Sequence, residues 1–222
     1  MGSTVTSPHL KVERRLLRSG AVVACGVDEV GRGSLSGPVS AGMVLVDIST
    51  GPHPGGLRDS KLLAPATRER LVPEIIAWAR GWAVGHASPA EIDSLGLIAA
   101  LRLAGHRALA NLETAPDVIL LDGSHDWLSW PPQQDLFAEA PLLPCTPPVL
   151  TLVKADLTCA SVAAASVLAK VARDAIMVSL DDEFPAYGWR ENKGYASQRH
   201  VDALRELGPC VHHRRSWNLP TS

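Results

Sequence analysis

The sequence predicts an α/β fold in which helices flank a mixed β-sheet, with a helical part at the C-terminal end. Three short apolar segments at 22–28, 38–48 and 81–87 predict strands early in the chain. Strand-like and helix-like segments then alternate, which is typical of helices packed on the faces of a sheet. The remaining segment, 181–222, is polar, basic and only partly helical in its pattern.

Each predicted strand is a short apolar run bounded by glycine, proline or an acidic residue. VVACGVD at 22–28 leads into a glycine–arginine–glycine turn, and the segment 38–48 starts at a proline and is rich in valine. PDVILLDG at 116–123 is entered from a proline and turns after Asp122. PVLTLVKAD at 148–156 predicts a further strand that also ends in an acid.

Three segments predict the main helices. The segment 65–79 has helical periodicity, with a kink or restart expected at Pro73. The sequence SPAE at 88–91 is a capping box with proline at the first helical position, and it predicts a helix that runs to Leu112. The alanine-rich segment 161–180 predicts a long helix that can approach the sheet closely.

Composition and length indicate a soluble globular protein with one large domain, or a domain with a small appendage, and the cysteines favour the cytoplasm. The chain has 222 residues, of which 46% are hydrophobic and 20% charged. No apolar run reaches the ~18 residues of a membrane span, and the first residues lack the apolar core of a secretory signal. The four cysteines form no CxxC pair and predict reduced thiols. A zinc site at Cys210, His212 and His213 is the lesser alternative.

Charge is distributed unevenly although the net charge is only −2. Residues 1–20 carry +3 and residues 189–217 carry +3, so the rest of the chain carries −8. An acidic middle between basic ends suits an acidic metal centre flanked by phosphate-binding surfaces. Chance clustering of charges on a solvated surface is the alternative explanation.

Acidic residues end three of the predicted strands: Asp28 with Glu29, then Asp122, then Asp156. Ligand sites of open α/β sheets are built at the carboxyl ends of strands. Carboxylates that meet there need a counter-charge, and hard oxygen ligands select Mg²⁺ or Mn²⁺. Because neighbours on a strand point to opposite faces, Asp28 and Glu29 are expected to share a site only if the strand ends or twists there.

The segment GRGSLSG at 31–37 is similar to a nucleotide-binding glycine loop, but such a loop opens a helix. Here Pro38 and a valine-rich strand follow instead. The segment is therefore interpreted as bare backbone that a ligand can approach closely, with Arg32 able to reach a phosphate.

These residues resemble the ribonuclease HII family. DEVGRGSLSGPV is similar to the signature of that family, and further motifs follow in the family's order from about residue 22 to 217. They are DSKL at 59–62, LDG at 121–123, KAD at 154–156, SVAAASVLAKVARD at 161–174, YG at 187–188, NKGY at 192–195 and HRRSW at 213–217.

The resemblance implies a ribonuclease H-like mixed sheet and a metal-dependent endonuclease. It would hydrolyse the RNA strand of RNA–DNA hybrids and cut at single ribonucleotides in duplex DNA, leaving 5′-phosphate and 3′-hydroxyl ends. Two Mg²⁺ ions would activate water and stabilise the leaving oxygen. The implied metal-binding and catalytic acids are Asp28, Glu29, Asp122 and Asp156.

The resemblance also implies substrate contacts. The backbone of Gly31, Arg32 and Gly33 would contact the 2′-hydroxyl and its phosphate neighbourhood, and Tyr195 would pack on the following sugar. The implied phosphate contacts are Lys61, Lys154 and Lys193. Two motifs depart from the family pattern: Ala155 stands where Lys-Gly-Asp has glycine, and Ala196-Ser197 replaces Pro-Thr. The loop between Asp122 and Asp156 is longer than expected.

Three parts are expected along the chain: a basic N-terminal segment at 1–20, a catalytic core at 21–180 and a basic helical substrate-binding part at 181–222. A proline-rich stretch at 127–148, with six prolines, predicts a long loop. The expected partners are RNA–DNA hybrid and ribonucleotide-containing duplex DNA. The protein is expected to be a monomer and not to bind a membrane. Two alternatives remain open: a non-catalytic hybrid-binding module, and a metal-dependent DNA strand-transfer nuclease on the same fold.

Overall fold

A computed structural model describes residues 7–130 and 146–221. Its centre is a five-stranded sheet in the order β3-β2-β1-β4-β5. Strands β1, β2 and β3 pair antiparallel, whereas β4 and β5 run parallel to β1. The predicted mixed sheet is therefore confirmed. The strands are β1 Val23–Val30, β2 Val39–Asp47, β3 Gly81–Ala87, β4 Val118–Asp122 and β5 Val149–Leu152.

Eight α-helices are present in the described ranges. They are α1 Lys11–Arg18, α2 Pro65–Trp78, α3 Pro89–Leu95, α4 Leu97–Ala110, α5 Ala155–Thr158, α6 Ala160–Glu183, α7 Trp189–Asn192 and α8 Gln198–Leu207, with short 3₁₀ turns at Ser60–Leu62 and Pro185–Tyr187.

The helix boundaries differ from the prediction in two places. The single helix expected from 88 to Leu112 is broken at Gly96, which has φ 78° and separates α3 from α4. Pro73 lies inside α2, and the helix continues through it. The capping box is confirmed: the Glu91 amide donates to the Ser88 hydroxyl at 3.2 Å, and the Glu91 carboxylate accepts from the Ser88 amide at 2.8 Å.

Helices cover both faces of the sheet. Helix α4 packs on one face, and α6 with α2 packs on the other. Helix α6 approaches very closely because the sheet presents glycines to it: a methyl group on Gly26 would overlap Ser161, and one on Gly42 would overlap the Ala165 carbonyl. The predicted close approach of this alanine-rich helix is therefore confirmed, and it brings Ser166 to the end of β1.

The two ends of the described chain dock on this core differently. Glu13 of α1 is fully buried and accepts hydrogen bonds from the amide and the hydroxyl of Ser161, near the start of α6. The C-terminal residues form a second small core with Met177 of α6. Its buried members are Met177, Tyr187, Trp189, Ala203 and Leu204.

No helix in ranges 7–130 and 146–221 has the length and apolarity needed to cross a membrane. Most of the proline-rich loop predicted at 127–148 lies outside the described residues. So do the first six residues of the basic N-terminal segment.

Candidate active site at the ends of strands β1 and β4

Asp28 and Asp122 lie side by side because their strands are parallel neighbours. The register pairs Val27 of β1 with Leu121 of β4, and each aspartate is the next residue along its strand. Both side chains therefore occur at the carboxyl end of the sheet, where the sequence predicts a ligand site.

Asp156 reaches the same place by a different route from the one predicted. Strand β5 ends at Leu152, and the backbone turns at Lys154, which has φ 61°. Asp156 then lies in the first turn of α5, so the prediction that it ends a strand is wrong. The Asp122 carboxylate holds this turn, accepting the Ala155 amide at 2.7 Å and the Asp156 amide at 3.4 Å.

This turn also explains the departure at position 155. The left-handed backbone angle falls on Lys154, whereas Ala155 has no positive φ and is fully buried. Alanine is therefore compatible with the conformation found there.

Asp28 is strongly perturbed by its surroundings. The residue is only 4% exposed. Burial, together with the charges of Glu29 and Asp122, raises the pKa of Asp28 to about 8, although the Ser166 hydroxyl acts in the opposite direction. A carboxylate in such a place is costly to ionise until a cation arrives.

Glu29 follows on the same strand without the expected break. Strand β1 continues regularly to Val30, so alternation directs Asp28 towards α6 and Glu29 towards the other face. One Glu29 oxygen accepts from the Arg32 guanidinium at 2.9 Å. Its other oxygen, Oε2, is buried and has no hydrogen-bond partner among the described residues.

Lys61 supplies a positive charge among the acids. Its ammonium lies 3.5 Å from Asp156 and 4.0 Å from Asp59. Burial alone would lower the pKa of Lys61, but the attraction of the neighbouring carboxylates outweighs burial and raises it. In this state Lys61 therefore offsets part of the negative charge of the cluster.

The donor set fits a hard divalent cation. All four predicted ligands are carboxylates, and the partnerless Oε2 of Glu29 is a buried oxygen that still needs a positive partner. Within ranges 7–130 and 146–221, no three histidine, cysteine, aspartate or glutamate side chains already stand in a metal-holding geometry.

The turn after β1 has two glycines, and the absence of a side chain has a different reason at each. Gly31 has φ 88°, and a methyl group there would overlap Arg173 and lie 2.8 Å from the Pro38 carbonyl oxygen. Gly33 has no atom within 4 Å of where a methyl group would be, and its φ lies outside the left-handed region. Gly31 is thus required by the fold, whereas Gly33 leaves open space outside it.

Tyr195 is not a core residue. The residue is 36% exposed, and the cationic groups of Lys170 and Arg173 lie 5.8 and 5.5 Å from the centroid of its ring. The Tyr195 carbonyl oxygen is 2.9 Å from Nδ1 of His200. Nearby, Lys193 has φ 52°, and its ammonium donates to the carbonyl of Arg190.

The Cys210 and His213 pair belongs to a hydrogen-bonded chain. His213 Nδ1 accepts from the Cys210 amide at 3.0 Å, and its Nε2 lies 3.0 Å from Nε2 of His200. Trp189 donates to the same His200 nitrogen at 3.3 Å. Burial, aided by the neighbouring His200, lowers the pKa of His213 to about 4.

Several motif residues without a predicted role lie at or near the site. Ser166 and Asp59 border the acidic cluster. Arg173 and Arg214 are fully buried beneath the glycine turn. A signal existed for Arg173, because it falls on the buried stripe of α6 with Val162, Ser166, Ala169 and Met177.

The comparisons agree on one family. The family model described as ribonuclease HII matches residues 25–219. The chain is 44% identical over 211 residues to the ribonuclease HII of Streptomyces coelicolor, covering 95% of this chain and 83% of that protein. It is 45% identical over 210 residues to that of a Ruegeria species, covering 95% and 84%.

Structural comparison gives the same answer. The crystal structure of ribonuclease H2 from Pyrococcus horikoshii matches with a TM-score of 0.70 at 26% identity, covering 90% of this chain and 95% of that one. The sheet order, the paired acids at its carboxyl end and these matches lead to one conclusion. The chain belongs to the ribonuclease HII family of endoribonucleases and has its ribonuclease H-like fold.

Proposed function

We propose that this protein hydrolyses the RNA strand of RNA–DNA hybrids and cuts at single ribonucleotides embedded in duplex DNA. The observation that carries the proposal is the juxtaposition of Asp28 and Asp122 on neighbouring parallel strands, next to a bare glycine turn. The products would carry 5′-phosphate and 3′-hydroxyl ends, with water as the nucleophile.

Divalent metal use belongs to the ribonuclease H class, and Mg²⁺ or Mn²⁺ is the ion that we propose here. A bound ion would polarise the scissile phosphate and lower the pKa of the attacking water. Asp28, Asp122 and Asp156 would hold it, and Glu29, whose buried Oε2 lacks a partner among the described residues, would join them by turning its side chain from the opposite face of β1. Asp122 would also fix Asp156 through its hydrogen bonds to the start of α5.

Substrate contacts would come from the glycine turn and from the neighbouring loop that carries Tyr195. Gly31, Arg32 and Gly33 would contact the 2′-hydroxyl, and the open space at Gly33 supports a close approach of the sugar. The exposed ring of Tyr195 would pack on the next sugar and favour one without a 2′-hydroxyl.

Lysines would contact the phosphates. Lys154 and Lys193 both adopt left-handed backbone angles, which are uncommon for lysine and mark positions held by their surroundings. Lys61, now paired with Asp156, would turn to phosphate once a cation occupies the cluster.

We further propose three parts: a basic N-terminal segment at 1–20, a catalytic core at 21–180 and a substrate-binding part at 181–222. Most members of the second small core, Tyr187, Trp189, Ala203 and Leu204, belong to the last part, which supports this division. We also propose a monomer as the active unit. A nucleic-acid substrate and the free thiols of Cys25 and Cys159 favour the cytoplasm.

The rival proposals are weaker. Presence of all four acids speaks against a non-catalytic hybrid-binding module. A match to ribonuclease HII over residues 25–219 favours this family over a strand-transfer nuclease.

The variant Asp28→Asn tests the proposal. Cleavage should fall by about 10²-fold or more, equivalent to ~3 kcal/mol of transition-state stabilisation, while substrate binding stays close to normal. Glu74→Gln removes an exposed carboxylate on α2 and is the matched control, with unchanged cleavage expected.

Thermal unfolding gives a readout that does not depend on activity. Because the folded protein raises the pKa of Asp28 to about 8, the ionised side chain destabilises the metal-free fold above its ordinary pKa. Asp28→Asn should therefore be more stable than wild type without metal at pH 7.5, by at least ~1 kcal/mol. Mg²⁺ should stabilise wild type and leave the variant nearly unchanged. Equal stabilisation of both proteins would contradict the assigned metal site.

A further inference from the structure

Two arginines are completely buried beneath the glycine turn. Arg173 of α6 and Arg214, near the C-terminal end, are both 0% exposed. Neither forms an ion pair with a carboxylate in the described ranges. Buried charges without an acidic partner are costly, so their hydrogen bonds must define their role. Burial, reinforced by the charge of Arg173, lowers the pKa of Arg214 to about 9.

Arg214 binds carbonyl oxygens of the turn. Its guanidinium donates to the Gly31 oxygen at 2.6 Å and to the Arg32 oxygen at 2.9 Å, with longer contacts of 3.2 Å and 3.4 Å to Gly37 and Pro38. The carbonyls of residues 31 and 32 therefore face inward.

Inward carbonyls have a direct consequence for the amides. In a planar trans peptide, the N–H points away from the carbonyl of the same unit. The Arg32 amide shares a peptide unit with the Gly31 carbonyl, and the Gly33 amide shares one with the Arg32 carbonyl. Both amides therefore face outward. Neither amide has a hydrogen-bond acceptor elsewhere in the described part of the chain. The positive charge behind them adds to their attraction for an oxygen ligand.

Arg173 joins this turn to the loop that carries Tyr195. It donates to the Pro38 carbonyl at 2.8 Å and to the Ser34 hydroxyl at 2.6 Å. Its Nη1 donates to the Lys193 carbonyl at 2.9 Å, and the guanidinium lies over the Tyr195 ring. One side chain therefore contacts both proposed recognition elements.

We infer that Arg173 and Arg214 are positioning residues that turn the Arg32 and Gly33 amides towards the ribonucleotide and lock this turn to the Tyr195 loop. The inference deepens the proposed function and rests on it. Lysine cannot replace either residue, because one ammonium cannot reproduce a fork that spans several carbonyls.

The test measures discrimination between two duplexes. One carries a single ribonucleotide and the other is all DNA, and dissociation constants are measured by fluorescence anisotropy in metal-free buffer. Arg214→Lys should lower the ratio of the two constants by about tenfold. Arg107→Lys is the matched control, because Arg107 also donates to a backbone carbonyl, of His86, but lies on α4 away from the turn. It should keep the wild-type ratio.

Kinetics separate the two arginines. With Mg²⁺, Arg214→Lys should lower kcat/KM on embedded ribonucleotides and on continuous hybrid alike. Arg173→Lys should in addition bring the kcat/KM values for the two substrates closer together, because it also removes the contacts of Arg173 with the Tyr195 loop. If a lysine variant fails to fold, Ser34→Ala provides a milder test because it removes one Arg173 contact. It should lower the ratio of the two dissociation constants by about threefold.

Each outcome decides the question. A reduced ratio in folded Arg214→Lys, with an unchanged ratio in Arg107→Lys, supports the inference. A wild-type ratio in Arg214→Lys and Arg173→Lys overturns it and leaves the proposed function intact. A wild-type protein that binds both duplexes equally would overturn recognition by the turn, and this inference with it.

Discussion

Replacing Gly33 with alanine should impair the approach of substrate without impairing folding. A methyl group on Gly33 meets no atom within 4 Å, and the residue does not need a left-handed backbone. The variant should therefore fold normally and gain about 0.4–1 kcal/mol of stability, because alanine restricts the unfolded chain. The same methyl group would stand where the sugar is proposed to approach. A displacement of ~1 Å at a reacting centre can cost about 10²-fold in rate.

The assay compares kcat/KM on a duplex with one ribonucleotide, together with the thermal midpoint. Gly55→Ala is the matched control, since that glycine also has open space and lies in a surface loop. Gly31→Ala is the opposite case: overlap with Arg173 and φ 88° should destabilise it by about 1–3 kcal/mol. Wild-type cleavage by Gly33→Ala would refute a close approach of substrate to this turn.

Three further predictions follow from the C-terminal part. Lys193→Ala should weaken binding to hybrid and plain duplex alike and reduce the slope of log binding constant against log salt concentration by about one unit. An unchanged slope would mean that Lys193 does not contact a phosphate. Tyr195→Ala should lower kcat/KM more on a single ribonucleotide than on continuous hybrid, with Mg²⁺ affinity unchanged; equal losses would remove its proposed role at the junction. The pKa of His213 is about 4 when folded and ~6.5 when unfolded, so its contribution to stability is complete above 6.5 and falls as pH drops towards 4, with a loss of ~2 kcal/mol at pH 5. Urea unfolding at pH 7.5 and 5, with His213→Gln as reference, checks this; equal pH dependence in both proteins would contradict it.

Local patterns were sufficient to predict much of the fold. Short apolar runs and turn residues predicted all five strands, because strand length and alternation are encoded over a few residues. The convergence of Asp28 and Asp122 also followed from sequence, since both end strands of one sheet. The capping box at 88–91 was predictable for the same local reason.

Features that depend on distant contacts were not predictable. Asp156 looked like a strand end, but a left-handed Lys154 and hydrogen bonds from Asp122 place it on a helix. The direction of Glu29 depends on how far pairing with β2 extends, and pairing continues to Val30. Arg173 and the glycine turn are separated by well over a hundred residues, so only the folded chain reveals their contact.

The most direct measurement of the central claim is cleavage of a DNA duplex with one embedded ribonucleotide, with and without Mg²⁺, followed by analysis of the new ends. We predict a cut at the ribonucleotide only when the metal is present, with a 3′-hydroxyl and a 5′-phosphate, because water is the nucleophile. Cleavage without a divalent ion would contradict the metal requirement. Ends that carry a 2′,3′-cyclic phosphate would also contradict the account, because the substrate's own 2′-hydroxyl would then be the nucleophile.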